Sequence, residues 1–434
     1  MKDIFELIKE KNSLPKGNIY KKKIKGKIYY YHQYNENGKR YSKKISDSRS
    51  IILSEQIKQR KDLEKQIKIL LKSQNRNLSL SNSSKSLTGY LLSKNKIVAT
   101  FDRGQLSSYD EKLCPLIIKR THKLESFLKY RVIDSNRLNA KLIKKLFNMS
   151  SYSDNYISLA NYAASISDTY WFKSKTSKLK YREVAFKSDI YSDITLKGLL
   201  YLHSSKFAPN PELTTVGRYE KGWKLIDGEW YLYKSESREE MFSEIFYGTL
   251  FELLGLDSVH YEISNGYIRS KNFSKEYNFE PMSSLCDDND SIEYVCDTLS
   301  KLDEKLLQAY LRLCFYDVVL NNTERDNSNC GLLRDRKTGQ IISLAPNFDN
   351  NACLISRDNY LDISSKESFL KMFVSFLRRN PKYKEILKNI NLPVINDDIL
   401  DKCFEKIDIK IDNKEMIKNF ILNRFIYLIN YINK

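Results

Sequence analysis

A short polar segment, residues 320–350, constrains the fold of this chain more than any other stretch. It reads LNNTERDNSNCGLLRDRKTGQIISLAPNFDN and follows an apolar run at 306–320. Acidic and amide side chains stand on both sides of the short apolar piece at 341–345: Glu324, Asp326, Asn329 and Asp349. Carboxylate and amide oxygens are the ligands that a hard cation such as Mg²⁺ prefers. The segment is therefore a candidate cation site.

The composition limits the class of protein. A chain of 434 residues with 41% hydrophobic residues is long enough for two or three domains with apolar cores. No run approaches the roughly 18 apolar residues of a membrane span, and the charged N-terminus lacks a signal-peptide core. Seven scattered cysteines without a CxxC pair favour free thiols in a reducing compartment, and the four histidines are too far apart to favour a zinc site. We expect a cytoplasmic protein without a membrane partner.

The positive charge is concentrated at the N-terminal end. Residues 1–76 contain 21 Lys and Arg against 8 Asp and Glu, a net charge of +13 out of +19 for the whole chain. Such a basic segment is typical of proteins that bind nucleic acid. The alternative is that lysine simply fills solvated surfaces, because it is abundant throughout the chain.

Residues 1–76 predict a basic arm made of a β-hairpin and a long helix. A short helix is predicted at 3–11, the hairpin covers 18–45 with an Asn-Gly turn at 35–38, and the long helix covers 50–73. Tyrosines alternate with lysines in the hairpin, where they either stack on bases or pack across the strands. Residues 77–88 are rich in Ser and Asn and are interpreted as a linker. Residues 89–204 are interpreted as a small α/β region, with two strands at 89–92 and 96–101 and helices at 122–131 and 136–148.

From residue 205 onward the candidate residues follow one another in an informative order. A loop with Gly217 lies between two predicted strands, an Asp-Gly hairpin turn follows at 227–228, and Lys234 ends the next strand. A capping box at 237–240 then starts a helix that carries Glu244, with Glu240 as an alternative acid. The polar segment at 320–350 comes last. This order of parts is that of a protein-kinase-like fold. No Walker A motif is present, which disfavours a P-loop NTPase.

Each part has a function in phosphoryl transfer. The backbone of the Gly217 loop approaches phosphates, Lys234 neutralises them, and Glu244 holds Lys234 in an ion pair. Asn329 and Asp349 are candidate Mg²⁺ ligands, and a nearby carboxylate orients the acceptor hydroxyl and takes its proton.

Four motifs resemble the HipA-like serine/threonine kinases: TTVGRYEK at 214–221, WYLYK at 230–234, NTERDNSN at 322–329 and APNFDN at 345–350. The resemblance implies an α+β, bilobal kinase domain at 205–434 with a mainly helical C-terminal lobe. It further implies ATP and Mg²⁺ as cofactors and a protein substrate. Thr215, Val216 and Gly217 would form the ATP loop, and Thr214 or Thr215 would be an autophosphorylation site. Kinases of this kind are often toxins or regulators, some with a DNA-binding antitoxin as partner.

One motif departs from the family pattern. Glu324 stands where the family has Asp, and Asp326 stands where it has His. The extra methylene moves the carboxylate by roughly 1.5 Å, and a displacement of about 1 Å costs on the order of 10²-fold in rate. Three readings follow: Glu324 is the base, Asp326 replaces it, or the protein binds ATP as a pseudokinase and acts through its basic arm. A fourth is a nucleic-acid-binding protein whose C-terminal fold is only a scaffold.

Overall fold

The structure is a computed structural model of the whole chain. It describes residues 14–24, 26–36, 39–76, 87–133, 137, 140, 143–144, 153–187, 189, 192–197, 211, 215, 219–355 and 363–434. The chain divides into two compact units. The first contains Met1–Ser83 and Leu200–Ala208, and the second contains Ser84–Leu199 and Pro209–Lys434. The predicted domain boundary at 204/205 stays a prediction.

The described strands form four small antiparallel sheets. In chain order they are β1 Asn18–Ile24, β2 Lys27–Glu36, β3 Lys39–Ile45, β4 Gly89–Ser93, β5 Lys96–Asp102, β6 Gln105–Tyr109, β7 Tyr170–Ser174, β8 Lys221–Ile226, β9 Glu229–Lys234, β10 Tyr261–Ser264, β11 Tyr267–Lys271, β12 Tyr277–Pro281, β13 Gly331–Asp335 and β14 Ile341–Leu344. Their sheet orders are β1-β2-β3, β6-β5-β4-β7, β10-β11-β9-β8 and β12-β13-β14.

Helices dominate the chain after residue 283. The described helices are α1 Asp47–Arg76, α2 Leu116–Thr121, α3 Leu124–Lys129, α4 Asp154–Ala160, α5 Tyr181–Val184, α6 Ser192–Lys197, α7 Arg238–Leu253, α8 Ser283–Cys286, α9 Ile292–Ser300, α10 Glu304–Val319, α11 Ile363–Arg379, α12 Pro381–Asn389, α13 Asp397–Lys406 and α14 Lys414–Asn433. None of the helices in the described part of the chain has the length and apolar character that a membrane span needs. The fold class is therefore mixed α and β, with several small antiparallel sheets.

The first unit contains three strands where the sequence predicts a two-stranded hairpin. The predicted first arm is divided into β1 and β2, because Gly26 adopts φ +80° and allows the chain to reverse there. The predicted long helix is present as α1 and begins three residues before the predicted start. A helix predicted at 3–11 and the centre of the turn at 37–38 lie outside the described residues.

The N-terminal part of the second unit contains the two predicted strands, here β4 and β5, and two that were not predicted. β6 pairs with β5, and β7, which is separated from the end of β6 by 60 residues, pairs with β4. The predicted helix at 122–131 is shorter, at Leu124–Lys129, and most of the helix predicted at 136–148 lies outside the described residues.

The hairpin β8–β9 forms as predicted around Asp227 and Gly228, which both adopt positive φ angles. Gly222 on β8 lies against α6: a Cβ there would be 2.8 Å from the Thr195 hydroxyl. β9 is an interior strand between β8 and β11, so the end of β9 is fixed from both sides.

A large apolar core joins α7 to the C-terminal helices. It includes Phe246 and Leu250 of α7, Phe315 of α10 and Phe425 of α14, all fully or almost fully buried. α10 ends at Val319 with Leu320 as its C-cap, and Asn321 then adopts φ +55°, which terminates the helix and starts the polar segment. Leu320 belongs to this core, so the polar segment starts directly from it.

Candidate active site

Lys234 is the centre of the candidate site. It is the last residue of β9 and is only 5% exposed. Its Nζ lies 2.6 Å from Asp349 Oδ1, 3.3 Å from Glu244 Oε2 and 3.6 Å from Glu236 Oε1. Although burial acts against its charge, these carboxylates hold the pKa of Lys234 well above its ordinary value. The lysine is thus a permanent buried cation.

The helix α7 decides which acid meets Lys234. Ser237 accepts from the Glu240 backbone N–H, and the Glu240 carboxylate accepts from the Ser237 N–H at 3.0 Å, which is a capping box. The Glu240 carboxylate also accepts from the Tyr219 hydroxyl. Glu240 therefore starts the helix, and Glu244, fully buried one turn later, is the partner of Lys234.

Asp349 is presented by a strained loop after β14. It adopts φ +59°, which is uncommon for a residue with a side chain, and its backbone N–H donates to the Tyr261 hydroxyl at 3.0 Å. Burial opposes its charge, but Lys234 and Lys221 hold the pKa of Asp349 well below its usual range. Asp349 therefore stays ionised.

Three carboxylates, those of Glu236, Glu244 and Asp349, lie close enough together to hold a cation. In this structure the Lys234 ammonium lies against all three. Two oxygens, Glu236 Oε2 and Glu244 Oε1, are buried and have no hydrogen-bond partner among the described residues. Burial, opposed by Lys234, raises the pKa of Glu236 to about 8. The cluster thus has more acceptor capacity than one lysine satisfies.

Arg325 holds the two halves of the polar segment together. Its guanidinium donates to both carboxylate oxygens of Asp317 on α10 at 3.0 Å. It also donates to the Asn329 carbonyl at 2.8 Å and to the Phe348 carbonyl at 2.6 Å. Two amide oxygens complete its partners, those of Asn347 and Asn350. A single buried side chain thus fixes the loop before β13 and the loop after β14.

The predicted residues of the loop 324–329 have different positions. Asn329 lines a cavity that Lys234 and Asp349 also line. Its Nδ2 donates to the Glu324 carbonyl at 3.0 Å, so its Oδ1 is the remaining acceptor. Asp326 is exposed, and its carboxylate accepts from the backbone N–H groups of Ser328 and Asn329. Neither Asp326 nor Glu324 is among the residues that line the cavity.

The cavity has a volume of about 270 Å³. Lys221, opposite Lys234 in the β8–β9 pairing, lines it, as does Thr215, whose hydroxyl donates to the Pro211 carbonyl. Arg131 and Asp168, a buried ion pair from the N-terminal part of the unit, form another wall. Thr214, Val216 and Gly217 lie outside the described residues, so their predicted roles stay predictions.

Three residues of the site were not predicted, namely Lys221, Glu236 and Arg325. A signal existed for Lys221: the Asp-Gly turn at 227–228 fixes the hairpin register, which places 221 opposite 234. No comparable signal existed for Arg325, because its partners lie on both sides of it in the chain and no local pattern groups them.

The comparisons with known proteins give distant likenesses. The chain matches no protein-family model and no curated protein. One similar solved structure is the proinflammatory kinase CtkA of Helicobacter pylori, with 18% identity over 51% of this chain and 93% of that chain and a TM-score of 0.43. Another comes from the HipA, HipB and operator DNA complex of Shewanella oneidensis MR-1, with 11% identity, 80% and 98% coverage and a TM-score of 0.42. Both TM-scores are below 0.5, so the function is inferred from the side chains of the site.

Proposed function

We propose that the chain is an ATP- and Mg²⁺-dependent serine/threonine protein kinase of the HipA-like type. The observation that carries the proposal is the meeting of Lys234 with Glu244 and Asp349 in contacts of 3.3 Å or less. Lys234 and Asp349 line one cavity together with Asn329. These residues come from three separate parts of the sequence. Their residue types and chain order are those of phosphoryl transfer, where positioning and charge neutralisation do most of the work.

The side chains of the cavity suit a polyphosphate. Two buried lysines, Lys221 and Lys234, face it from adjacent strands. Among the described residues, Lys234 forms ion pairs with three carboxylates, whereas Lys221 forms none. Burial lowers the pKa of Lys221, since its charge is poorly compensated. An anionic ligand would supply the missing compensation.

Mg²⁺ would be held by Asn329 Oδ1 and Asp349, and when bound it would neutralise charge on the phosphates. The donor set fits such an ion, because both groups are oxygen acceptors that line the same cavity. Arg325 fixes the backbone next to both groups, and Glu244 keeps Lys234 in place. These two residues are therefore positioning residues.

The proton acceptor is assigned to Glu324 or Asp326. Either carboxylate would orient a serine or threonine hydroxyl of the protein substrate and take its proton. Asp326 is exposed to solvent. Its carboxylate, however, already accepts hydrogen bonds from the backbone N–H groups of Ser328 and Asn329. Thr214 and Thr215 are the proposed autophosphorylation sites. A cytoplasmic location and a role as a toxin or regulator with an antitoxin partner belong to the same proposal.

A second candidate function is ATP binding without transfer. It is favoured by one observation: neither Glu324 nor Asp326 lines the cavity that contains Lys234 and Asp349. In that case the nucleotide would stabilise a fold that acts by binding a partner.

Purified full-length protein incubated with Mg²⁺ and γ-labelled ATP, alone and with a cell lysate, tests the proposal. We expect label on protein in the wild type and none with Asp349→Asn, which keeps the shape of the side chain. Asp398→Asn is the matched control, because Asp398 is exposed and, among the described residues, its carboxylate pairs only with Lys402 of the same helix. Glu324→Gln and Asp326→Asn decide which carboxylate is the base.

Labelling that persists at the wild-type rate in Asp349→Asn would overturn the kinase proposal. Absence of label in the wild type, with MgATP bound in calorimetry, would support the second candidate. Absence of both would exclude nucleotide binding at this site.

A further inference from the structure

The three-stranded sheet of the first unit has two chemically different faces. Tyr30 of β2 lies beside α1, where it lines a cleft with Ser50, Ile51 and Ser54. Side chains alternate along a strand, so the neighbours Tyr29 and Tyr31 project from the opposite face. The residues that share the Tyr30 side include aliphatic ones, Ile19 and Ile45, as expected for a packed face.

The strand register identifies the members of the other face, here called the basic face. Tyr20 pairs with Tyr31, and Tyr31 pairs with Lys44, so one row crosses all three strands. Lys22 pairs with Tyr29 in the adjoining row. The basic face is defined by these residues and Gln33: Tyr20, Lys22, Tyr29, Tyr31, Gln33 and Lys44.

The basic face combines positive charge with exposed aromatic surface. The sequences of the three strands contain eight Lys and Arg but one acid, Glu36. The Lys44 ammonium lies 4.1 Å from the centre of the Tyr29 ring, and Tyr20 is 46% exposed. In the described part of the chain no carboxylate forms an ion pair with Lys22 or Lys44, both of which are exposed. These cations are available to an anionic partner.

We propose that the basic face binds the phosphate backbone of duplex DNA, with the sheet lying in the major groove. Strands are spaced about 4.8 Å apart, so the outer strands are separated by about 10 Å. This width fits a major groove about 12 Å wide, into which β-ribbons are known to enter. The lysines suit contacts with phosphates, and the tyrosine hydroxyls and the Gln33 amide suit contacts with phosphates and base edges. A membrane surface would not need such polar groups. This activity is separate from phosphoryl transfer.

The test is fluorescence anisotropy of the full-length protein with a labelled DNA duplex of about 25 base pairs, measured over a range of NaCl concentrations. The variant Lys22→Gln/Lys44→Gln removes two cations of the basic face. Lys21→Gln/Lys43→Gln is the matched control, since it removes the same charge from the opposite face of the same strands. Circular dichroism verifies that both variants fold.

We expect the basic-face variant to reduce the slope of log K against log salt by about 2, one for each phosphate contact. Its affinity at 0.1 M salt falls by on the order of tenfold to a hundredfold, whereas the control loses much less. Equal losses in the two variants, or no binding of the duplex by the wild type, would overturn the proposal. Tighter binding of duplex RNA or heparin than of duplex DNA would also overturn it, because the partner would then be a different polyanion.

Discussion

Arg325 has more polar partners than any acid or amide of the polar segment that it organises. It contacts the carboxylate of Asp317, two backbone carbonyls and two side-chain amides, and it is buried. A guanidinium can satisfy so many acceptors because its five N–H groups point in fixed, coplanar directions. A lysine at the same position would keep the charge but leave several of these acceptors unpaired.

The variant Arg325→Lys is therefore expected to lower the free energy of unfolding by about 2–3 kcal/mol. Labelling activity should fall by more than the loss of folded protein accounts for, because the loops that carry Asn329 and Asp349 lose their common anchor. Urea denaturation and the labelling assay measure the two effects. Arg269→Lys is the control: Arg269 bonds a half-exposed Glu262, so its change should be below about 1 kcal/mol. Equal stability in the two variants would contradict the role given to Arg325.

Lys221 is a second residue whose environment suggests a function in binding. It is buried beside the cavity, and burial lowers its pKa. Lys221→Met is expected to weaken MgADP binding by on the order of tenfold to a hundredfold, the value of one or two charge-assisted hydrogen bonds. The same variant should leave the melting temperature unchanged or raise it, since a poorly compensated charge is removed from the interior.

Titration calorimetry with MgADP and thermal unfolding without ligand measure these two effects. Lys224→Met serves as control, because Lys224 lies on the same strand but is not among the residues that line the cavity. Unchanged affinity in Lys221→Met would show that this lysine has no contact with the nucleotide.

At the scale of elements, local signals in the sequence were sufficient where a structure depends on neighbours in the chain. The Asp-Gly turn of β8–β9 and the Ser237–Glu240 capping box are examples, and both are present as predicted. The signals failed where an element depends on a distant partner. β7 pairs with β4, although the two strands are far apart in the chain, and no local sequence pattern predicts that pairing.

The loop after β6 shows how one carboxylate fixes an element. Asp110 accepts from the backbone N–H groups of Lys112 and Leu113 at 2.9 Å and pairs with Lys96 of β5 at 2.8 Å. The Lys96 bond and these backbone bonds lower the pKa of Asp110 to about 2, from an ordinary 3.8. Since the folded pKa is the lower one, the stabilisation is complete above about pH 4 and is lost as the pH falls through 2.

Asp110→Asn is therefore expected to destabilise the protein by about 1–2 kcal/mol at pH 6, after allowance for screening at the largely exposed Lys96. The difference from the wild type should shrink steadily between pH 4 and pH 2. Urea denaturation at a series of pH values measures this difference. Asp408→Asn controls for the loss of a surface carboxylate, and a difference that is independent of pH would contradict the assignment.

At the scale of the whole second unit, two parts of the chain share buried polar contacts. The Glu280 carboxylate of β12 accepts from the Arg334 guanidinium of β13 and from the Leu116 N–H at 2.6 Å. Arg334 also donates to the carbonyls of Lys112 and Cys114.

The sequence order of the candidate site was predictable because each motif carries its own chemistry. The polar network around Glu280 and Arg334 could not be predicted from the sequence, because it joins these two residues to a segment more than 160 positions earlier in the chain.

The network predicts that β4–β7 and β12–β14 open together. Hydrogen exchange in the wild type should give similar opening free energies for the backbone amides of Leu91 and Leu332, which are both fully buried. Glu280→Ala leaves the buried Arg334 uncompensated, at a cost of about 3–5 kcal/mol, and should lower both values by a similar amount. Glu262→Ala is the control, because Glu262 is about half exposed and its loss should change neither value by more than about 1 kcal/mol. A loss confined to one sheet would show that the two parts unfold independently, and the buried ion pair would then be a local contact rather than the link that makes the unit cooperative.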